Sequence, residues 1–137
     1  MYTGTGVGGH VDGALASATF SLFNGGGLAF APNGTLYVAD NPSLRVVDPG
    51  ATTTRTLLNG GGAAYTGVCV NAVTGAVYAV DYGTTKQLVQ VYGDGTKRTI
   101  QTGYYALACA VDNSGYVIVA NTYSCVRARA GSNGALR

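Results

Sequence analysis

Three stretches of the chain can be laid over one another almost residue for residue. Residues 27–40 read GLAFAPNGTLYVAD, residues 67–81 read GVCVNAVTGAVYAVD with one extra residue in the turn, and residues 108–121 read ACAVDNSGYVIVAN. The turn glycines are Gly34, Gly75 and Gly115; the closing polar residues are Asp40, Asp81 and Asn121; both series step by 41 and then 40 residues. A fixed period of this length restricts the chain to one small unit repeated, each copy leaning on the next for its core.

Each stretch reads as a hairpin. A short apolar run meets a turn rich in Asn, Pro, Ser or Gly, and the turn glycine supplies the positive φ that the link demands. The second strands, TLYVA, AVYAV and YVIVA, are apolar nearly throughout, which implies burial on both faces. A third strand follows at residues 44–48 (LRVVD), 87–92 (QLVQVY) and 125–130 (CVRARA). A fourth follows in the first two repeats, at residues 52–58 and 96–102, after the turns DPG and GDG. Four short antiparallel strands every 40 residues are the mark of a propeller blade, because one twisted sheet cannot cover both of its own faces. The expected fold class is therefore all-β: about three four-stranded antiparallel blades forming an incomplete ring. The expected division is a Gly-rich linker with a remnant of a preceding blade over 1–26, blades over 27–59 and 60–103, and an incomplete blade over 104–137.

Composition agrees and excludes other classes. Charged residues are 10% of the chain, against roughly 25% in ordinary soluble domains. Glycine occurs 22 times and tyrosine 10 times; Glu is absent, and all six acidic residues are Asp. Thr, Val and Tyr suit a pleated, half-buried surface. The net charge of +2 is spread out, so no nucleic-acid footprint is indicated. No apolar run approaches the ~20 residues of a membrane span, and no signal peptide is visible. The three cysteines, Cys69, Cys109 and Cys125, contain no CxxC and are odd in number, so buried free thiols acting as small hydrophobes are expected.

GLAFAPNGTLYVAD followed by LRVVD resembles the NHL repeat, with its Gly-Leu/Ile-Ala-Val start, Asn/Asp-Gly turn and Tyr-Val-Ala-Asp end. The upstream GTGVGGHVDGALASATF resembles the Gly-rich Asp-Gly linker that precedes such blades in some NHL proteins. The third repeat departs most: Asn121 replaces the usual Asp, and Cys125 stands where the family often has Arg. The resemblance implies a propeller and says little about activity. Some similar propellers are hydrolases or lyases with a divalent metal near the axis, held by Glu, Asp, Asn or His of the inner strands; others bind RNA through a basic face.

Gly4-x-Gly6-x-x-Gly9 fits the glycine spacing of a dinucleotide loop. Such a loop needs a strand before it and a helix after it. Only three residues precede Gly4, no helical pattern follows, and no acidic residue lies about 20 positions on, where the sequence is NGGGLAF. The glycines are read as a flexible inter-blade connection, and His10 within it as a solvated side chain. The glycines at 25–27 and 60–62 are read as joins from an outer strand back to an inner one, where the chain re-enters without Cβ clashes.

In an up-and-down blade, the loop after the second strand opens on the same end as the outer-to-inner join. Asp40, Asp81 and Asn121, with Asn41, Tyr82, Thr122 and Tyr123 beyond them, are therefore expected at one end, together with Tyr65, Tyr104 and Tyr105 of the joins. The candidate partner face is Asp40, Asn41, Tyr65, Asp81, Tyr82, Tyr104, Asn121 and Tyr123. The aspartates there are expected to cap the following turn by accepting main-chain N–H bonds. Arg45 and Arg127, near matching third-strand positions, are expected to pair with a blade-end carboxylate. No catalytic, cofactor or metal residue is assigned: there is no GxSxG, and the carboxylates form no local pair.

The expected function is a non-catalytic interaction or scaffold module with a protein partner, part of a larger propeller. The alternatives are the metal-holding hydrolase or lyase and the RNA-binding propeller. Since closed propellers need about four to eight blades, a homodimer completing a six-bladed ring is a further expectation.

Overall fold

The computed structural model describes residues 3–22, 26–103 and 105–129. These form twelve strands and no helix: β1 (Gly13–Ala14), β2 (Leu28–Phe30), β3 (Leu36–Asp40), β4 (Ser43–Val47), β5 (Thr53–Leu58), β6 (Tyr65–Val70), β7 (Val77–Asp81), β8 (Gln87–Val91), β9 (Lys97–Thr102), β10 (Ala106–Val111), β11 (Tyr116–Asn121) and β12 (Cys125–Arg129). Three antiparallel sheets result, in the orders β1-β5-β4-β3-β2, β6-β7-β8-β9 and β10-β11-β12. We call them blades one, two and three. Blade three has three strands among the described residues, and residues 130–137 lie outside them.

The three hairpin turns are built alike. Gly34, Gly75 and Gly115 have φ of 87°, 73° and 81°. Each turn is closed by an Asn or Asp whose side-chain oxygen accepts a nearby main-chain N–H: Asn33 from Thr35, Asn71 from Val73 and Thr74, Asp112 from Ser114 and Tyr116. Side chains alternate across the pleat, so each strand feeds two interfaces. Ala39, Leu44 and Leu58 of blade one pack with Val68, Val77, Ala79, Val89 and Val91 of blade two. Cys69, Tyr78, Val80 and Leu88 of blade two pack with Val117, Val119 and Ala128 of blade three. Apolar side chains buried this way contribute about 1.5–3 kcal/mol each.

The innermost strands approach most closely at glycines. A Cβ on Gly27 would lie 2.7 Å from the Gly67 Cα, and one on Gly67 would lie 2.9 Å from the Ala108 Cα. The registers Leu28↔Val38, Val68↔Ala79 and Cys109↔Val119 make Gly27, Gly67 and Ala108 equivalent positions. Side chains there would prise the sheets apart.

Two expectations are corrected. Cys69 and Cys109 form a disulfide with Cα atoms 5.7 Å apart, joining the inner strands of blades two and three; Cys125 is the free, exposed cysteine. The spacing explains it: the blade-three equivalent of Cys69 is Ala110, so Cys109 is one residue out of step. One step turns a side chain to the other face of its strand, here back toward blade two.

The second correction is the N-terminal segment, which is no free connection. β1 pairs with β5 at the outer edge of blade one (Gly13↔Thr54, Ala14↔Thr53). The Gly4 and Gly9 main-chain N–H groups donate to the carbonyls of Leu15 (2.8 Å) and Phe20 (3.1 Å). Leu15 and Phe20 lie on Leu36, Val38 and Val47, on the face of blade one turned away from blade two. Residues 3–22 thus form a strap across that face.

Candidate functional site

The expected partner face gathers at the ends of β3, β7 and β11, but its polar members are spent on structure. Asp81 is wholly buried. Its carboxylate accepts the main-chain N–H groups of Ala64 (2.6 Å) and Gly83 (2.7 Å) and the Thr85 hydroxyl. This ties the join into blade two to the loop that leaves β7. Asn121 does the same on a smaller scale, accepting from the N–H groups of Tyr123 (2.9 Å) and Ser124 (2.7 Å). These are the turn-capping bonds the sequence suggested.

Asp40 does more than cap a turn. It too is wholly buried, and it accepts from the Ser21 main-chain N–H, from Arg45 Nη1 (2.8 Å) and from His10 Nδ1 (3.3 Å). Arg45, also fully buried, reaches Asp12 through Nη2 (2.7 Å), and donates to the carbonyls of Thr19 (3.1 Å) and Val11 (3.0 Å). Its guanidinium carbon stands 5.0 Å from the Phe20 ring centroid. One buried cation, flanked by two carboxylates, thus pins the strap to blade one. His10 is therefore a half-exposed member of an ion network and not simply solvated.

Arg127 does not repeat this. Arg45 lies across from Val38 and Arg127 across from Ile118. Val38 matches Val119, so the two arginines face opposite sides of their sheets. Arg127 pairs instead with the turn carboxylate Asp112 at 2.8 Å, its guanidinium carbon 3.6 Å from the Tyr116 ring centroid. The Tyr116 main-chain N–H, with the Arg127 guanidinium, holds the Asp112 carboxyl below the ordinary aspartate range.

The tyrosines divide. Tyr65 is not in a loop: it opens β6, is fully buried, and its hydroxyl accepts from Lys97 Nζ at 2.9 Å. Tyr104 lies outside the described residues. Asn41 is half-buried. Tyr82 and Tyr105 are exposed, with ring centroids 5.3 Å apart, and Lys86 Nζ donates to the Tyr105 hydroxyl at 2.6 Å. Lys86 takes φ of +44°, the one non-glycine residue in this region among those described. Tyr123 is 95% exposed. The exposed aromatic side chains at this end, Tyr82, Tyr105 and Tyr123, span blades two and three, among exposed threonines and Ser124.

Where the inner strands converge, a groove of about 450 Å³ is lined by main chain and by Leu28, Thr66, Val68, Leu107 and Cys109. Among the described residues, no three His, Cys, Asp or Glu side chains lie close enough together to hold a metal ion.

A scan of protein-family models and a search of curated proteins return no match. Among solved structures, the chain is similar to the PQQ-bound form of an aldose sugar dehydrogenase from Streptomyces coelicolor. The TM-score is 0.60 at 15% identity, over 90% of this chain and 50% of that one. The fold is that of a β-propeller. The chain spans half the length of that propeller, which agrees with three blades forming an open, incomplete ring.

Proposed function

We propose that the chain is a non-catalytic interaction module, part of an NHL-like propeller that offers the tyrosine-bearing end of blades two and three to a protein partner. The observation that carries this reading is the exposed pair Tyr82–Tyr105 with Lys86, flanked in the same blade end by Tyr123. Rigid, amphipathic aromatic side chains of this kind are enriched in the binding core of protein interfaces. The carboxylates at that end support the same reading. Asp40 and Asp81 are buried and occupied by Arg45 and main-chain N–H groups, leaving no free charge for general acid or base work.

The test compares the full chain with a Tyr82→Ser/Tyr105→Ser/Tyr123→Ser variant, each immobilised and exposed to extract of the source cells. A protein retained by the first and reduced at least about tenfold by the variant, at unchanged melting temperature, supports the module; a tenfold loss is about 1.4 kcal/mol. Equal recovery by both, or by neither, overturns it.

The shared fold with a sugar dehydrogenase favours a second reading, in which the chain is part of an enzyme. Against it stands the inner groove, whose lining supplies apolar side chains, main chain and the Thr66 hydroxyl, with no carboxylate, imidazole or cationic side chain. Titration with calcium and with zinc separates the two: a saturable rise of several degrees in melting temperature supports the enzyme, and its absence with both ions removes the metal-dependent form.

A further inference from the structure

Among the described residues, blade one alone carries a fifth strand. β1 lies along the outer edge of β5, with Gly13 opposite Thr54 and Ala14 opposite Thr53. Just before it, the Asp12 carboxylate accepts the Thr56 main-chain N–H at 2.9 Å and the Thr56 hydroxyl at 3.1 Å. Gly13 takes φ of 149°, a value that glycine adopts freely, as the chain passes from Asp12 into the pairing. An Asp-Gly pair thus answers the main-chain groups that the outermost strand of a blade turns away from its own sheet.

Blade two repeats that edge without the added strand. The register Gln90↔Arg98 corresponds to Val46↔Arg55, so Lys97 and Thr99 of β9 stand where Thr54 and Thr56 stand in β5. The direction of their main-chain groups follows from the turn. The Tyr92 N–H donates to the Thr96 carbonyl at 2.9 Å. Bonded and non-bonded pairs alternate along an antiparallel ladder, so the next bonded pair is Gln90–Arg98. Lys97 and Thr99 therefore point their N–H and C=O groups away from β8, and β8 is the one strand paired with β9 among the described residues.

Charge narrows the occupant. β9 reads KRTIQT, with two cations and no carboxylate. Lysines commonly guard a sheet edge, but Lys97 Nζ is drawn aside to the Tyr65 hydroxyl at 2.9 Å. The Thr99 hydroxyl donates to Gln87 Oε1 at 2.7 Å, a neutral acceptor that a carboxylate placed like that of Asp12 outcompetes.

We propose that the outer edge of β9 binds an extended Asp-Gly segment of a partner protein, added antiparallel as a fifth strand in the way β1 is added to β5. The glycine main chain pairs with Lys97, and the Asp carboxylate takes the Thr99 N–H. Main-chain bonds supply the affinity of such strand addition and the side chain its selectivity. Tyr82, Tyr105 and Tyr123 take no part in it.

The probe is a peptide of residues 9–17, GHVDGALAS, titrated into the full chain labelled with nitrogen-15. Saturable shifts of the Lys97 and Thr99 amide signals are expected. They should weaken at least about tenfold when the peptide carries Asp12→Ala, which removes a charged acceptor, or an N-methyl group on Gly13, which removes the donor to Lys97. Thr99→Pro in the chain should abolish them, since an edge strand accepts proline where its N–H faces off the sheet. The two peptide changes decide the matter whatever that variant does to the fold. No shift, or equal shifts with the altered peptides, overturns the proposal. Shifts at Thr54 and Thr56 instead, by exchange with the strap, overturn it as well. Concentration-dependent shifts of Lys97 and Thr99 without peptide overturn it in favour of a second copy.

Discussion

Arg45 carries the largest single responsibility in the molecule. It is a fully buried cation balanced by Asp40 and Asp12, and it anchors a strap held also by the β1–β5 pairing, the Asp12–Thr56 bonds and the packing of Leu15 and Phe20. Arg45→Met is expected to cost about 3–5 kcal/mol, since Asp40 stays buried without its main counter-ion; urea unfolding measures it. Arg45→Met with Asp40→Asn should lose less than the sum of the two single changes, because the second removes the stranded charge. The sequence placed Arg45 beside a blade-end carboxylate correctly and Arg127 incorrectly, for one reason. Both sit early in a third strand, yet a single-residue difference in register turns one toward the strap and the other toward its own turn. Pattern gives the strand; only the pairing gives the face.

Among elements, the hairpins were the most legible, because their turn chemistry is local. Asn-Gly, Thr-Gly and Ser-Gly with a closing Asn or Asp leave few alternatives. The strap was the least legible: its glycines resemble linker, and what fixes it is a partner 26–44 residues away, seen in the Thr19–Arg45 and Asp12–Thr56 bonds. Tyr65 was misplaced for a similar reason, since β6 begins inside the stretch that reads as a join. Gly67→Ala is expected to destabilise by about 2–3 kcal/mol, because the new methyl meets the backbone of Ala108, which cannot yield as a side chain can. Gly93→Ala, with open space around it, should change stability by less than about 0.5 kcal/mol. Thermal unfolding of the pair separates interface packing from backbone freedom. The blade-three turn is also expected to respond to acid. Asp112 is held below the ordinary aspartate range by the Tyr116 N–H and Arg127. Its contribution is therefore complete above that range and fades as pH falls through the lowered value. A carboxyl carbon titration should find the midpoint below that of a free aspartate, and Arg127→Gln should raise it.

At the scale of the whole molecule, two blade interfaces and one disulfide make the three sheets a single body. The Cys69–Cys109 bond closes a loop of 40 residues. Reduction, or Cys69→Ser/Cys109→Ser, is expected to lower unfolding stability by about 4 kcal/mol on the chain-entropy account, seen as an earlier urea midpoint in the presence of reductant. The spacing of 40 in a repeat of 40 to 41 already held this information. Two cysteines one residue short of equivalence point at each other across neighbouring sheets, whereas strictly equivalent ones would point the same way. Ala108 has a different consequence. At the first two junctions neighbouring main chains come nearly into contact, hydrogen against Cα. On blade three the equivalent position carries the Ala108 methyl group, and carbon atoms settle at about 3.5–4.0 Å, not 2.9 Å. A sheet stacked beyond blade three would have to stand off by roughly a further ångström.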